Sequence, residues 1–109
     1  MKYKVKITDI AEKQVRGITA YISKVLLSPK AARSWLTKLK ALTVSLNEIP
    51  HRFPLFETEP WRSDGIRKTL AGNFIVYFWI DEPTKTVWVT AVIYAKRDQL
   101  AALKDIPKQ

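Results

Sequence analysis

Positively charged residues stand at the two ends of the most apolar part of this chain. Arg67 and Lys68 precede it, and Lys96 and Arg97 follow its last stretch, just after Tyr94. Stretches this rich in apolar residues must be buried strands. Because a sheet can bring the ends of its strands together, the pattern predicts a rigid scaffold that presents cations to a polyanion.

The composition limits both the class of protein and the kind of site. The 109 residues suffice for one domain, residues 1–109, which can bury about two-thirds of its unfolded surface. The chain has no cysteine and one histidine, which excludes disulfides, thiolate metal sites and a cysteine nucleophile. We therefore expect no metal and no cofactor. No stretch reaches the roughly 18 apolar residues of a membrane span and the N-terminus is not a signal peptide, so we expect a cytoplasmic protein that does not bind membranes.

The charge suggests an anionic partner. Nineteen Lys and Arg against ten Asp and Glu give a formal net charge of +9. No acidic residue lies between Glu12 and Glu48, although many basic ones do. This imbalance favours nucleic acid, an acidic protein partner, or both; the alternative is a basic face that serves only solubility. The candidate RNA- or partner-binding residues are Lys13, Arg16, Arg33, Lys38, Lys40 and Lys68.

The N-terminal half predicts a strand followed by a helical hairpin. Lysines alternate with apolar residues over residues 2–7, which predicts a half-buried strand with a lysine face toward water. Thr8 or Asp9 fits the N-cap of a first helix that runs to about residue 27. Ser28-Pro29 fits the start of a second helix, and Ile49-Pro50 ends it.

The C-terminal half predicts an irregular connection over residues 50–64 and then strands near 66–70, 73–80 and 86–94. Strict alternation in the last strand places one set of side chains on one face, Val87, Val89, Ala91 and Ile93. The other face receives Trp88, Thr90, Val92 and Tyr94. The order β-α-α-β-β-β predicts an α+β fold, in which a helical hairpin packs on a small, mainly antiparallel sheet.

Short motifs accompany these elements along nearly the whole chain. After the opening strand they are the segment 11–22 ending in Ile18-x-x-Tyr21-Ile22, Ser28-Pro29-Lys30-Ala31-Ala32, Leu46-x-x-Ile49-Pro50-x-Arg52, Gly65-Ile66-Arg67, Asn73-Phe74-Ile75-Val76-Tyr77 and Val92-Ile93-Tyr94-Ala95-Lys96-Arg97-Asp98. Each motif is loose, but their order and spacing are specific. Together they resemble the RelE/ParE superfamily of toxins from type II toxin–antitoxin systems.

The resemblance implies a small bacterial toxin that arrests growth and is neutralised by an acidic antitoxin encoded beside it. One branch of the superfamily enters the ribosome and cleaves mRNA, and the other inhibits DNA gyrase. The clustered cations favour the first branch, an endoribonuclease that needs no metal because the ribose 2′-hydroxyl attacks. A gyrase inhibitor without catalytic activity is the alternative.

In the RNA-cleaving branch, the resemblance implies catalytic roles for the residues at the strand ends. Arg67 would hold the phosphate, while Lys96 and Arg97 would stabilise the transition state. Tyr94 would stack on a base or transfer a proton. Lys68 would point to the opposite face of its strand from Arg67.

The chain also departs from that branch. Phe74 or Ile75 stands where ribonuclease members often place an arginine, and the last strand carries no histidine. Structural roles are possible as well: Arg67 and Arg97 could pair with Asp64 and Asp98, Tyr94 could be a half-buried strand residue, and His51 a loop residue without a chemical role.

A third hypothesis belongs to another class, a non-toxic module that binds nucleic acid through its basic surface. Such a module needs exposed aromatic rings for base stacking. The four tryptophans stand mainly where a core would use them, so this hypothesis ranks last.

Overall fold

Within residues 2–108, which the computed structural model describes, the chain forms four strands and three α-helices. The strands are β1 (Lys4–Ile7), β2 (Arg67–Ala71), β3 (Phe74–Asp81) and β4 (Thr86–Tyr94). The helices are α1 (Asp9–Ala20), α2 (Pro29–Ser45) and α3 (Gln99–Leu103). The predicted β-α-α-β-β-β order is confirmed. The patterns did not predict α3, because five residues are too few to establish a helical period.

The sheet has the strand order β1-β4-β3-β2. β2, β3 and β4 form an antiparallel meander, and β1 lies parallel to β4 with Val5 opposite Val87. A parallel neighbour needs a long crossover connection, which the helical hairpin and the strands after it provide. The predicted α+β fold is therefore confirmed, and β1 makes its sheet mixed.

Both helices of the hairpin begin where the sequence predicts. Thr8 caps α1 by accepting a hydrogen bond from the backbone of Ala11, and Ser28 caps α2 in the same way, followed by a proline. The first helix continues past α1 as a π-helical turn, Tyr21–Val25. No helix within residues 2–108 combines the length and the apolar character needed to cross a membrane.

The second helix ends four residues earlier than predicted. α2 stops at Ser45, and a 3-10 turn covers Pro50–Arg52. The Arg52 guanidinium donates to the carbonyls of Ser45, at 3.3 Å, and Ile49, at 3.1 Å, and also to that of Glu48. Arg52 thus satisfies carbonyls at the C-terminal end of α2 and just beyond it, which gives the Ile49-Pro50-x-Arg52 motif a structural reason.

The two faces of the sheet have separate cores. On the helix face, α1 and α2 cover a cluster that contains Trp35, Leu39, Val76, Phe78, Val87, Val89 and Val92. On the second face, the connection before β2 and the C-terminal helix cover a smaller cluster of Phe56, Ile66, Tyr77, Ala91, Ile93 and Leu103. The central strands of the sheet are thus buried between two layers.

A β-bulge overturns the predicted alternation in the last strand. Tyr77 lies opposite Ala91 and Phe78 opposite Val89, so Thr90 is an extra residue between them. A bulge shifts the facing of every side chain beyond it by one position. Hence Ala91 and Ile93 pack on the second face, away from Val87 and Val89, and the prediction that these four share one side was wrong.

Candidate functional site

A groove of about 860 Å³ opens between the helical hairpin and the ends of β3 and β4. Its walls are mostly apolar, and its lining includes Ile18, Tyr21, Ile22, Leu26, Trp35, Phe74 and Val92. Leu26 and Tyr21 remain more than half exposed. Apolar surface left open in this way is typical of a binding site for an amphipathic segment.

The charged side chains that line the groove are both basic. Lys38 enters from α2 and Arg97 from the turn after β4, and the lining contains no carboxylate. Neither belongs to an ion pair among residues 2–108. The groove therefore offers apolar contact and positive charge together.

A row of aromatic rings forms the floor of the groove. The ring centroids of Trp35 and Phe74 are 5.0 Å apart, and those of Phe74 and Tyr94 are 5.6 Å apart. Trp35 Nε1 also donates to the Ala71 carbonyl at 3.3 Å, which ties α2 to the end of β2, next to the turn between β2 and β3. That turn contains Gly72 with φ +61°, a conformation that glycine adopts without strain.

The cationic turn, residues 94–97, is held by one side chain that sequence reasoning missed. Gln99 Nε2 donates to the carbonyls of Tyr94 and Arg97, both at 2.7 Å, and Oε1 accepts from the Tyr77 hydroxyl at 2.7 Å. Tyr94, Lys96 and Arg97 are exposed. The turn thus presents them from a fixed backbone. Nothing in the sequence pattern marks Gln99, because its partners are backbone carbonyls and a hydroxyl 22 residues away.

The Arg67 side chain is hydrogen-bonded to the backbone of the connection before β2. Its Nη1 donates to the carbonyl of Phe53 at 2.6 Å and to that of His51 at 3.2 Å. These bonds attach the irregular connection to β2, and they engage one of the three nitrogens of the guanidinium that was predicted to hold a phosphate.

The strand register separates Arg67 from the other predicted catalytic residues. Tyr94 and Ala71 share a row across the sheet, and Arg67 lies four positions along β2 from that row, which is roughly 13 Å. The structure brings Tyr94, Lys96 and Arg97 together in one turn. The prediction that Arg67 gathers with them at the same rim was wrong, because β2 runs away from the turn.

Lys68 lies on the face opposite Arg67, as predicted. Its Nζ is 3.2 Å from Glu57 Oε2 and 5.0 Å from the centroid of the Phe56 ring. The residue is half-buried on the second face. It does not line the groove.

The two alternative ion pairs are absent from the residues that the structure describes. Arg67 does not pair with Asp64, and Arg97 does not pair with Asp98. Asp98 instead caps α3 by accepting a hydrogen bond from the Ala101 backbone at 3.2 Å.

The predicted basic residues on the hairpin are exposed, but most lie outside the groove. Arg16 Nη1 is 3.4 Å from Glu12 Oε1, a surface pair that is weak at this exposure. Lys13, Arg33 and Lys40 are exposed. Of the hairpin cations predicted from sequence, the groove contains only Lys38.

A second polar cluster lies far from the groove along the sheet, around Glu82. His51 Nε2 is 2.6 Å from Glu82 Oε1, Lys85 Nζ is 2.8 Å from Oε2, and the Tyr3 hydroxyl donates to both oxygens. The hydrogen bond from Lys85, followed by those from His51 and Tyr3, lowers the pKa of Glu82 to about 2. His51 therefore has a structural role as a partner of Glu82. No sequence pattern predicts this contact, since His51 and Glu82 are 31 residues apart.

Comparison with known proteins agrees with the resemblance. A sequence profile of the family described as the ParE toxin of the type II toxin–antitoxin system, parDE, matches residues 5–99. No curated protein sequence matches the chain.

Solved structures of similar fold come from both ParDE and RelBE systems. A chain of the chromosomal ParDE system from P. aeruginosa superposes with a TM-score of 0.70 at 16% identity, covering 87% of this chain and 98% of the other. One from the toxin–antitoxin complex RelBE2 of Mycobacterium tuberculosis gives 0.61 at 18% identity, covering 86% and 99%. One from the archaeal RelE-RelB complex of Pyrococcus horikoshii gives 0.53 at 16% identity, covering 89% and 99%. At sequence identities this low, the structural similarity shows a shared fold and nothing more.

Proposed function

Because the chain belongs to the ParE toxin family of type II toxin–antitoxin systems, we propose that this toxin arrests growth by binding DNA gyrase rather than by cleaving RNA. The observation that carries the proposal is the position of Arg67. A cation that holds the reacting phosphate must reach the same phosphate group whose neighbouring oxygens the acid and the base contact. Arg67 lies roughly 13 Å along the sheet from the Tyr94 row, and its guanidinium bonds to the carbonyls of Phe53 and His51.

Two side chains of the connection before β2 that could act as an acid or a base, His51 and Glu57, do not complete a catalytic set. His51 bonds to Glu82 in a different part of the sheet, and Glu57 pairs with Lys68 on the second face. Inhibition by binding needs only a complementary surface, and the groove with the cationic turn supplies one.

We also propose that the cognate antitoxin inserts an amphipathic, acidic segment into this groove. The similar structures from the ParDE and RelBE2 systems belong to toxin–antitoxin pairs. The groove offers apolar walls for one side of such a segment, and Lys38 and Arg97 for its acidic side chains. Lys13, Arg16, Arg33 and Lys40 are exposed on the same two helices, and their positive field would speed association.

Ribosome-dependent mRNA cleavage is the second candidate, and one observation favours it. Tyr94, Lys96 and Arg97 are exposed together on one ordered turn, as a phosphate site would require. In this case Arg67 would have no direct part in the reaction. The non-toxic nucleic-acid module does not account for membership of a toxin family.

Expression in a bacterial host distinguishes these functions. Induction of the chain alone should stop growth, and co-expression of the neighbouring antitoxin gene should restore it. A gyrase inhibitor should induce the SOS response and leave mRNA intact. Primer extension that found cuts within translated codons, without an SOS response, would support cleavage and overturn the gyrase proposal. Normal growth with soluble toxin present would contradict both.

A further inference from the structure

Two tryptophans lie side by side on the second face, at the end of the sheet away from the groove. Trp79 of β3 is directly opposite Trp88 of β4, and both rings are only half-buried. Lys6 Nζ is 5.6 Å from the centroid of Trp88, and Lys108 Nζ is 4.4 Å from that of Trp79. Two adjacent aromatic rings thus lie between two cationic groups on this surface.

The lysine face of β1 extends the same surface. Lys6 is the register partner of Trp88 and Lys4 that of Thr86, and both lysines are exposed. No ion pair among residues 2–108 includes Lys4, Lys6 or Lys108. The strand alternation places Asp81 on this face, and Asp64 lines a pocket together with Lys108. Glu57, also on the second face, pairs with Lys68. The three lysines outnumber the two carboxylates near them, so the surface is positive.

We propose that this surface, formed by Trp79, Trp88, Lys4, Lys6 and Lys108, binds single-stranded nucleic acid. Unpaired bases would stack on the tryptophan rings, and the lysines would move from the rings to the phosphates. The lysines alone would also attract an acidic protein, but that partner would not explain two adjacent rings between them. A duplex would hide the faces of its bases. This inference goes beyond the proposed function and does not depend on the toxin's target.

The electrostatic part can be tested with a labelled oligothymidylate and the full chain, by fluorescence anisotropy. The double variant Lys4→Glu with Lys6→Glu should weaken binding about tenfold or more and should lower the salt slope by about 1.4 for two lost phosphate contacts. The matched control, Lys13→Glu with Lys40→Glu on the hairpin, changes the net charge equally. Its effect should be no more than about threefold, because only the long-range field changes.

The stacking part needs a separate variant and an anion without bases. Trp88→Leu should weaken oligothymidylate binding about tenfold, whereas Trp88→Phe, which keeps an aromatic face, should weaken it much less. Polyphosphate binding should be the same for wild type and both variants. Circular dichroism and antitoxin affinity would report whether each variant keeps its fold.

The opposite results overturn the proposal. Equal losses from the two double variants would mean that the oligonucleotide binds the overall charge rather than this surface. Equal binding by Trp88→Leu and wild type would remove the stacking role. An acidic peptide that bound this face while the oligonucleotide did not would assign the surface to a protein partner. None of these results would alter the gyrase assay, so the two proposals can fail independently.

Discussion

The Tyr77 hydroxyl donates a 2.7 Å hydrogen bond to Oε1 of Gln99, and this bond joins the central strand to the turn that ends the groove. Tyr77 is fully buried, and burial, with a smaller contribution from the charge of Glu57, raises its pKa to about 12. The opposite end of the Gln99 amide faces backbone carbonyls, which can only accept. Its nitrogen must therefore point at the turn and its oxygen at Tyr77.

This relationship predicts that Gln99 fixes the cationic turn without contacting a partner itself. Gln99→Met keeps the side-chain length but removes the three bonds to carbonyls of the turn and the bond from Tyr77, so antitoxin affinity should fall roughly tenfold. Gln99→Glu should lower antitoxin affinity further than Gln99→Met does, since a carboxylate oxygen would face the backbone carbonyls and repel them. Backbone hydrogen exchange at Arg97 should become faster in both variants. Unchanged hydrogen exchange and unchanged antitoxin affinity in Gln99→Met would show that the turn keeps its conformation without Gln99.

Arg67 should behave as a structural residue, in contrast to Arg97. Arg67→Met removes two bonds to backbone carbonyls and should lower the free energy of unfolding by about 1–3 kcal/mol. Toxicity per folded molecule should persist. The control Arg97→Met, exposed on the turn, should leave stability within about 0.5 kcal/mol of wild type and should reduce toxicity and antitoxin affinity. Urea titration and a growth assay give the two readouts. Complete loss of toxicity in a stably folded Arg67→Met would restore the catalytic role.

The Glu82 cluster predicts a dependence of stability on acid pH. The pKa of this carboxyl falls from an ordinary 4.5 to about 2 on folding, so its contribution is present above about pH 4.5 and is lost as the pH falls toward 2. Glu82→Gln should therefore flatten the stability curve in that range. Glu12→Gln, which removes an exposed carboxylate of α1, serves as the control. Thermal melts between pH 2 and 5 measure both; identical curves for Glu82→Gln and wild type would contradict the cluster.

The groove should control antitoxin association more strongly than the outer hairpin does. Lys38→Glu with Arg97→Glu reverses both charges that line the groove, and should slow association about tenfold at low salt and speed dissociation. Lys13→Glu with Lys40→Glu changes the net charge equally and should slow association only several-fold, with dissociation unchanged. Stopped-flow kinetics at two salt concentrations separate the rates. A larger effect from the hairpin pair would move the antitoxin site out of the groove.

The sequence predicts those parts of the fold that short-range patterns determine. Capping by Thr8 and Ser28, the alternation of β1 and the apolar run of β3 each depend on neighbours within a few residues. The bulge at Thr90 does not, because it requires Tyr77 and Ala91 to pair across two strands. This one extra residue places Ala91 and Ile93 on the opposite face of the sheet, and no pattern in the sequence predicts the bulge.

The candidate site was predictable only in part for the same reason. Tyr94, Lys96 and Arg97 are close in sequence, so their proximity in space follows from one turn. The position of Arg67 depends on which way β2 runs relative to that turn, and the bond between Gln99 and Tyr77 depends on the packing of α3. Long-range register decides both features.

The most direct measurement is DNA supercoiling by purified gyrase in the presence of the purified toxin. We expect inhibition at toxin concentrations comparable to that of gyrase, relief by the antitoxin, and no cleavage of mRNA in a translating extract. Arg67→Met should inhibit as wild type does. Full supercoiling activity at excess toxin, together with codon-specific mRNA cuts in the extract, would contradict the proposal that this toxin acts by binding gyrase.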